Sequence, residues 1–202
     1  GLPDVTALKT ADPKTTALMD QRIEVARKAG QKLTIQQKWV AFNAIPQLLK
    51  HTVRIPEDAG FYQHTGIDLR EIRAAVRKSR RQKKPLRGAS TITQQLAKNL
   101  YLSPKRSVWR KIKEYMIARR LESALSKHRI FHLYLNVIEL GPGIFGVEAA
   151  SRHYFGKPVE RLNLEVELGD FHKSGCGDRI ADPQGTPRRA HRVAAFTAQI
   201  AR

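Results

Sequence analysis

Two adjacent carboxylates in this chain could take part in acid–base catalysis. Glu57 and Asp58 directly follow Pro56 in the stretch PEDAGFYQHTG. A carboxylate that faces a cleft can act as a general base and take a proton from a hydroxyl group. Taken alone, the pair is more typical of an exposed turn, because Pro56 disfavours the α region for Ile55 and so predicts a bend. The stretch leaves both interpretations open, a surface turn or a catalytic base.

A third carboxylate, Glu114, lies in the predicted helix SVWRKIKEYMIARRLESAL. At 100° per residue it falls within about 40° of the apolar stripe of this helix, where an unpaired carboxylate would be costly. Arg110 lies one turn earlier on the same face, and Lys111 flanks it. The pattern predicts either a buried ion pair that orients helices or a carboxylate in a basic cleft with a shifted pKa. The stripe consists of Ala118, Leu121 and Leu125.

The elements that must position these residues are predicted to be helices. Apolar residues recur at helical spacing, as Leu69, Ile72 and Val76 do, and few stretches alternate with a period of two. Thr91 and Gln94 fit a capping box at the start of one helix. We therefore expect a mainly α fold in which any sheet is minor. The predicted helices cover approximately residues 15–29, 68–82, 88–102, 107–126, 127–140 and 146–157.

Other stretches separate or flank these helices. Residues 39–55 are apolar and predicted to be buried, with a break at Pro46. Gly141-Pro142-Gly143 is a strong stop signal for the helix predicted over residues 127–140. Residues 77–87, RKSRRQKKPLR, are almost all basic. They indicate a solvated, mobile loop or an anion-binding segment, and the two interpretations are compatible.

Composition limits the class of protein. With 202 residues, 41% of them hydrophobic, the chain is expected to form one domain with a sizeable core, or at most two small ones. Lys and Arg outnumber Asp and Glu by 37 to 18, giving a net charge of +19. This surplus points to an anionic partner, which is nucleic acid, an acidic membrane surface or a phosphate-bearing substrate.

Cysteine content and hydropathy indicate in which cellular compartments the protein could function. Cys176 is the single cysteine, so no internal disulfide can form, which fits the cytosol and equally an exported protein without disulfides. No run of about eighteen apolar residues occurs, and GLPDVTALKT at the start lacks the apolar region of a signal peptide. We therefore expect a soluble chain, with any membrane anchor outside this sequence.

Five motifs follow one another along the chain, and together they are specific where each alone is not. They are EDAGFYQHTG, GASTITQQLAKN, RSVWRKIKE, YLNVIELG and GVEAASRHYFGK. In order and interval they resemble the motifs of glycosyltransferase family 51, the peptidoglycan glycosyltransferases, over about residues 46–164. The segments LPDVTALKTADPKTTALM and QQKWV further resemble the monofunctional members of Gram-negative bacteria.

The resemblance implies a mainly α, lysozyme-like glycosyltransferase domain over residues 1–202, with a larger lobe and a small, mobile jaw lobe beside the membrane. It implies polymerisation of lipid II, a disaccharide-pentapeptide on undecaprenyl diphosphate, at the periplasmic face of the bacterial inner membrane. A GlcNAc 4-hydroxyl attacks the anomeric carbon of the growing chain, and a β-1,4 bond forms with inversion as the lipid diphosphate leaves. The implied partners are lipid II, the growing glycan, the anionic membrane surface and cell-wall synthesis proteins.

The resemblance also implies roles for single residues. Glu57 takes the position of the general base for the sugar hydroxyl. Glu114 matches a second glutamate that organises the donor or holds a divalent cation, Mg²⁺ or Mn²⁺; no other cofactor is implied. Residues 77–87 match a mobile segment near anionic headgroups. The remaining matches are cations around the diphosphate (Lys98, Arg106, Arg110, Lys111), the cleft floor (Ser90, Thr91, Gln94, Gln95) and residues that shape the first motif (Asp58, Phe61, His64, Gly66).

The catalytic interpretation carries a geometric expectation. Glu57 should open onto a groove that it shares with Glu114 and Lys98, because a general base must reach its proton within hydrogen-bond distance. Two ionised neighbours are costly in a dry site, so Asp58 should turn toward backbone N–H groups or a nearby cation.

Three features depart from the family pattern. Pro56 stands before the first glutamate, where a small or apolar residue is usual. In the fourth motif, Phe131 and His132 stand where a glutamate is normal, and a histidine cannot reproduce a permanent carboxylate that pairs with a neighbouring cation. Residues 168–189 are too rich in glycine and charge for the family's apolar helix, through real divergence or a change of reading frame. A return to helix is predicted at residues 190–202.

Two other classes of function stay under consideration. His132 and the atypical segment 168–189 favour a catalytically weak homologue that binds lipid II or partner proteins as a scaffold, whereas the intact Glu57 and Glu114 oppose it. A nucleic-acid-binding protein would be expected to interleave aromatic with basic residues. Residues 77–87 contain no aromatic residue, so nucleic acid is not the expected partner.

Overall fold

The computed structural model describes residues 1–82, 90–103 and 107–163, and this part of the chain is mainly helical, as predicted. Within it the regular structure consists of seven α-helices, a few 3-10 turns and one three-stranded sheet. Arg106, residues 83–87 of the basic segment and the predictions for residues 168–202 lie outside the described residues. The helices are α1 Ala17–Lys28, α2 Gln47–Asp58, α3 Leu69–Gln82, α4 Ile92–Tyr101, α5 Val108–Ala124, α6 Lys127–Val137 and α7 Val147–Phe155.

Helix α4 is the central helix of the described fold and contacts α1, α2, α5 and α6. The predicted capping box fixes its start: the Thr91 hydroxyl accepts a hydrogen bond from the Gln94 backbone N–H, and the Gln94 side chain accepts one from the Thr91 N–H. Ile92 and Leu96 are fully buried. Helix α4 therefore carries the polar residues of the second motif into the interior of the fold.

The bend predicted at Pro56 is wrong, because α2 continues through Pro56 to Asp58. Proline lacks the N–H that would bond to the carbonyl four residues earlier, so it weakens the last turn of the helix. Leu49 and Val53 are completely buried and anchor the helix against the core. Glu57 and Asp58 consequently lie on the final turn of a helix and not on a surface loop.

Residues 39–55 are buried only in part. Pro46 immediately precedes the first residue of α2 and separates it from the 3-10 turn Phe42–Ala44, which agrees with the predicted break. Ile45 is buried, whereas Leu48 and Ile55 are exposed on α2. A helix that packs on one side only leaves its other apolar residues in contact with water, and the run of apolar letters does not show which side that is.

Helix α3 begins after Asp68, whose carboxylate accepts hydrogen bonds from the backbone N–H groups of Arg70 at 2.8 Å and Glu71 at 3.1 Å. Burial raises the pKa of Asp68, but these N–H groups more than offset burial and hold the pKa below its ordinary value. The helix extends to Gln82, so residues 77–82 of the basic segment are helical and not part of a loop. Arginine, lysine and glutamine are good helix formers, which explains why these basic residues continue the helix to its predicted end at Gln82.

Helix α5 is the longest helix of the described part, with 17 residues. The Ser107 hydroxyl caps its start by accepting a hydrogen bond from the Arg110 N–H at 3.0 Å. Glu114 is buried on the same face as Ile117 and Leu121, as the helical spacing predicts. Across residues 1–82, 90–103 and 107–163, no helix combines the length and the apolar character that crossing a membrane requires.

Helix α6 ends at Val137, three residues before its predicted end. Ile138 is extended, and β2 (Glu139–Gly141) follows it. Strand β2 pairs antiparallel with β3 (Ile144–Phe145), which pairs in parallel with β1 (Gln36–Gln37). The turn at residues 141–143 folds the chain back, so residues 138–140 gain strand partners that a longer helix would not provide.

Asn136 is fully buried and ties α6 to the segment before α2. Its side chain accepts a hydrogen bond from the Val40 N–H at 2.9 Å and donates one to the Val40 carbonyl at 3.2 Å. Gly146 has φ +79°, and a Cβ there would lie 2.5 Å from the Asn136 carbonyl oxygen. Only glycine fits this approach, which lets α7 begin directly against the end of α6.

His132 has two hydrogen-bond partners although it replaces the glutamate of the family pattern. Its Nδ1 lies 3.1 Å from Nη1 of Arg129, and its Nε2 lies 2.9 Å from the Val40 carbonyl oxygen. A guanidinium only donates, so Nδ1 accepts and Nε2–H donates, which is a neutral tautomer. Arg129 also binds Asp12 at 2.8 Å. The histidine therefore contacts the neighbouring cation as a neutral acceptor, without the permanent negative charge that a carboxylate would supply.

Candidate active site

Glu57, on the last turn of α2, lines a cavity of about 270 Å³. Its Oε2 accepts a hydrogen bond from the Gln95 side-chain amide at 2.6 Å. Among the described residues, none donates a hydrogen bond to Oε1. One oxygen of the carboxylate is thus held in place, and the other is available to a ligand. The cavity wall also includes Arg22, Lys98, Asn99, Tyr134 and Glu139.

Asp58, the neighbour of Glu57, points away from this cavity into the fold. It is 6% exposed, and its carboxylate accepts hydrogen bonds from the Ile92 backbone N–H at 3.1 Å and from Nε2 of His64 at 2.9 Å. Nδ1 of His64 accepts from the Gly66 N–H at 3.2 Å, so Nε2 carries the hydrogen that points at Asp58. Asp58 is expected from the sequence to turn toward local backbone N–H groups or a nearby cation. It does turn toward a backbone N–H, but that of Ile92, 34 positions along the chain, and its second partner is the His64 ring.

Glu114 is 3% exposed and binds the two cations that its helix provides. Its Oε2 lies 2.9 Å from Nη1 of Arg110, and its Oε1 accepts a hydrogen bond from Nζ of Lys111. Lys111 also donates to the Ser90 hydroxyl at 3.1 Å, which ties this cluster to the start of the second motif. Nε of Arg110 is buried, and no described residue accepts its hydrogen. The predicted pairing of Glu114 with Arg110 and Lys111 is therefore confirmed, and the cluster keeps a spare donor.

Lys98 connects Glu57 with the Glu114 cluster through electrostatics. More than a third of its side-chain surface is accessible to water, yet the rest is enclosed by protein, and this desolvation lowers its pKa. Glu114 opposes this shift, Arg110 and Lys111 add to it, and Glu57 acts in the same direction as Glu114. Lys98 thus lies within electrostatic reach of both predicted catalytic carboxylates. It lines the cavity together with Glu57, but Glu114 does not, so the expected shared groove is found for Glu57 and Lys98 and not for Glu114.

The residues matched to the cleft floor take different places. The side chains of Thr91 and Gln94 are buried and occupied by the capping box, and the Thr91 hydroxyl also donates to the Gly66 carbonyl at 2.7 Å. Gln95 reaches the cavity, as described above. Ser90 and Thr91 border a second hollow of about 100 Å³, which Glu57 also lines.

Two residues of the first motif support the site from within the core. Phe61 is completely buried, packs against Phe131 and lies under the Lys127 ammonium at 4.4 Å. Gly66 has φ +89°, a conformation that a residue with a Cβ rarely adopts. A Cβ there would also lie 3.0 Å from the side chain of Glu122. These contacts fix the loop that follows Asp58, and with it the direction of the Asp58 carboxylate.

A divalent cation does not fit Glu114 in this arrangement. Both of its carboxylate oxygens are taken by Arg110 and Lys111, and a metal ion placed between them would face two positive charges. Within the described part of the chain, no group of three or more His, Cys, Asp or Glu side chains is arranged to hold a metal. We therefore derive no chemical step through a metal ion at Glu114.

Sequence reasoning missed four polar residues of the cavity wall, which are Arg22, Asn99, Tyr134 and Glu139. The Tyr134 hydroxyl donates to Oε1 of Gln95 at 3.1 Å, and Arg22 pairs with Glu139 through three hydrogen bonds of 2.6–3.0 Å. Tyr134 and Glu139 lie inside the quoted motif YLNVIELG, which was the available signal. No signal pointed to Arg22. A wider hollow of about 640 Å³, between residues 43–50 and 160–163, contains none of the candidate residues.

Comparison with known proteins identifies the family of the chain. The family model described as "Transglycosylase" matches residues 24–168. A protein of Nitrosomonas eutropha named biosynthetic peptidoglycan transglycosylase is 47% identical over 157 residues, covering 78% of this chain and 64% of that protein.

A protein of the same name from Laribacter hongkongensis is 43% identical over 155 residues, covering 77% of this chain and 68% of its own length. The chain thus spans about two thirds of the length of these curated relatives. The family match covers most of the chain, including Glu57, Gln95, Lys98, Glu114 and Tyr134 of the candidate site, whereas Arg22 lies before the matched range. The chain therefore belongs to the transglycosylase family, glycosyltransferase family 51.

Proposed function

We propose that this chain is a peptidoglycan glycosyltransferase that polymerises lipid II into β-1,4-linked glycan strands in bacterial cell-wall synthesis. The observation that carries the proposal is that Glu57 and Lys98 line the same cavity. The Glu114 cluster interacts electrostatically with Lys98. A base for a hydroxyl nucleophile and cations for an anionic leaving group are the two aids that this reaction needs.

The base is Glu57. Its Oε1 takes the proton of the GlcNAc 4-hydroxyl as that oxygen attacks the anomeric carbon of the growing chain from the face opposite the leaving group. The new C–O bond forms while the bond to the lipid diphosphate breaks, so the configuration inverts. Gln95 holds the other carboxylate oxygen at 2.6 Å, so the base does not have to reorient before it acts.

The cations stabilise the departing diphosphate, which takes up the electron pair of the broken bond. Lys98, Arg110 and Lys111 supply positive charge that is already in position. Glu114 keeps Arg110 and Lys111 together, since two cations would otherwise repel one another in a partly buried place. By resemblance, Arg106 joins this group.

The proposal includes one glycosyltransferase domain over residues 1–202, with a larger lobe and a jaw lobe beside the anionic, periplasmic surface of the inner membrane. An exposed apolar face on α5 supports the membrane partner. Lys113 and other basic residues flank this face, and Trp and Tyr favour the membrane interface while Lys and Arg are attracted to anionic lipid. Its members are Val108, Trp109, Ile112, Tyr115 and Met116.

Polymerisation of labelled lipid II by the purified chain tests the proposed function. The product should be a polymer that a muramidase digests to disaccharide units. Glu57→Gln should lower the rate by more than about 100-fold while the thermal unfolding curve stays unchanged, because the amide keeps the size of the side chain and loses its basicity. A Glu57→Gln variant that keeps a tenth of the wild-type rate would contradict the proposal that Glu57 is the general base.

The same assay decides between the enzyme and a scaffold. If the wild-type chain forms no polymer yet binds lipid II vesicles at high salt, the scaffold hypothesis replaces the enzyme. High salt matters because a chain with a net charge of +19 binds polyanions without specificity at low salt.

A further inference from the structure

Tyr134, Gln95 and Glu57 form one continuous hydrogen-bonded chain across three helices. The Tyr134 hydroxyl on α6 donates to Oε1 of Gln95 on α4 at 3.1 Å. Nε2 of Gln95 donates to Oε2 of Glu57 on α2 at 2.6 Å. Gln95 therefore spans the distance between a buried phenol and the carboxylate at the cavity.

The direction of these two hydrogen bonds matters because the Gln95 amide has one donating and one accepting end. Rotation of the Gln95 amide by half a turn would exchange the two ends. Its carbonyl oxygen would then face the Glu57 carboxylate, and two acceptors would meet with no hydrogen between them. A donating hydroxyl at Tyr134 holds the carbonyl end, so the NH₂ end stays on Glu57.

The surroundings of Tyr134 keep its hydroxyl group protonated, so that it can donate a hydrogen bond. The residue is 3% exposed, and burial raises its pKa, with the nearby charges of Glu57 and Asp58 raising it further. The hydroxyl therefore stays protonated across the range in which proteins function. The ring lies nearly parallel to that of Phe131 with 6.5 Å between centroids, so the ring belongs to the core while the residue also lines the cavity.

We propose that Tyr134 is a positioning residue that acts on Glu57 through Gln95. It fixes the amide so that Oε2 of Glu57 is held and Oε1 is presented to the cavity. The proposal rests on the proposed function, in which Glu57 is the base. Tyr134 neither takes a proton from the substrate nor gives one to it.

Replacement of the hydroxyl alone tests the proposal. Tyr134→Phe should lower kcat for lipid II polymerisation about 10- to 100-fold and leave KM within about twofold, because the base is misplaced while substrate binding is kept. The matched control is Tyr101→Phe, which removes the hydroxyl of a half-buried tyrosine on α4 outside this chain of hydrogen bonds. A Tyr134→Phe variant as fast as the control overturns the proposal.

A double-mutant cycle separates positioning from a general structural role. If Tyr134 acts through Gln95, the variant that combines Tyr134→Phe with Gln95→Ala should be no slower than Gln95→Ala alone. Two independent roles would instead multiply the two losses in rate, and that result overturns the proposal. Thermal unfolding of each variant shows whether a lost fold explains a lost rate.

A crystal structure of the Tyr134→Phe variant gives a reading that does not depend on activity. We expect the Gln95 amide to move, so that Nε2 no longer lies within hydrogen-bond distance of Glu57. An unchanged contact near 2.6 Å overturns the proposal. If the wild-type chain does not polymerise lipid II, the proposed function is wrong. The crystal structure of the Tyr134→Phe variant would still show whether Tyr134 positions the Gln95 amide.

Discussion

At the scale of single residues, the carboxylates of Glu57, Asp58 and Glu114 differ in their burial and in their hydrogen-bond partners. Asp58 is buried, receives its hydrogen bonds from His64 and the Ile92 N–H, and does not line the cavity that Glu57 shares with Lys98. Glu114 is buried against two cations, which makes it an organiser of positive charge. Glu57 has one oxygen held by Gln95 and one at the cavity. Of these three carboxylates, Glu57 alone lines the cavity, with one oxygen held by Gln95 and the other without a donor among the described residues.

Glu114→Gln should lower the rate of lipid II polymerisation at least about tenfold, because removing the carboxylate leaves Arg110 and Lys111 without the charge that holds them. Initial rates with labelled lipid II measure this effect. The matched control is Glu24→Gln, since Glu24 pairs with Arg27 and Lys28 at the same helical spacing but on the exposed surface of α1. Equal rates for the two variants would reduce the Glu114 cluster to a structural ion pair.

Activity should fall on the alkaline side at a pH below the ordinary lysine pKa of about 10.4. Desolvation lowers the pKa of Lys98, so its positive charge is lost earlier as the pH rises, and with it the stabilisation of the diphosphate. The pH profile of the initial rate measures this limb. Lys98→Arg keeps the charge to much higher pH, so its alkaline limb should move upward. An unmoved limb would mean that another group sets it.

At the scale of elements, the start of α4 is the junction on which the site depends. Asp58 at the end of α2 accepts a hydrogen bond from the Ile92 N–H, so one helix end caps another. A carboxylate is favourable there because free N–H groups and the helix dipole make a helix N-terminus positive. Thr91 adds the local cap and a bond to the Gly66 carbonyl. The first and second motifs are therefore held together by hydrogen bonds between side chains and the backbone.

Thr91→Ala should lower the free energy of unfolding by about 2 kcal/mol, at the upper end of capping effects, because it removes the cap and leaves the buried Gly66 carbonyl without its donor. Urea unfolding measures the loss. Thr91→Ser keeps the hydroxyl and serves as the control, with stability close to that of the wild type. If both variants lose the same free energy, the lost methyl group and not the cap is responsible.

At the scale of the whole molecule, Glu148 joins parts that are far apart in the sequence. Its carboxylate binds Nε of Arg152 at 2.6 Å, accepts the Val159 N–H at 2.8 Å and lies 3.6 Å from Nζ of Lys38. Burial raises the pKa of Glu148, but the Val159 N–H and Arg152 outweigh burial and lower it overall. The ionised form is therefore the one that stabilises the fold.

Glu148→Gln should lower the free energy of unfolding at neutral pH by about 1–3 kcal/mol, because buried donors lose their ionised partner. A carboxylate with a lowered pKa in the folded state contributes stability above its unfolded pKa, and this contribution is lost as the pH falls through the folded pKa. Stability curves between neutral and acidic pH measure this effect. The wild type should lose more stability than the variant below about pH 4.3. Parallel curves for the two proteins would contradict this linkage.

The sequence by itself determined what depends on residues within a turn or two of one another. It was sufficient for most of the helices, the capping box of Thr91 and Gln94, and the pairing of Glu114 with Arg110 and Lys111. These contacts span three or four positions, so helical geometry alone brings the groups together. The order of the five motifs was likewise enough to identify the family.

Only the tertiary structure decided the contacts between distant residues. Gln95 lies 38 positions from Glu57 and 39 from Tyr134, and Arg22 lies 117 from Glu139, so no local rule predicts that they meet. Packing also overrode two local signals: α2 continues through Pro56 because its buried face anchors it, and α6 ends at Val137 because the next residues enter the sheet. The physical reason is the same in each case, since burial and pairing with distant segments outweigh preferences worth about 1–3 kcal/mol per residue.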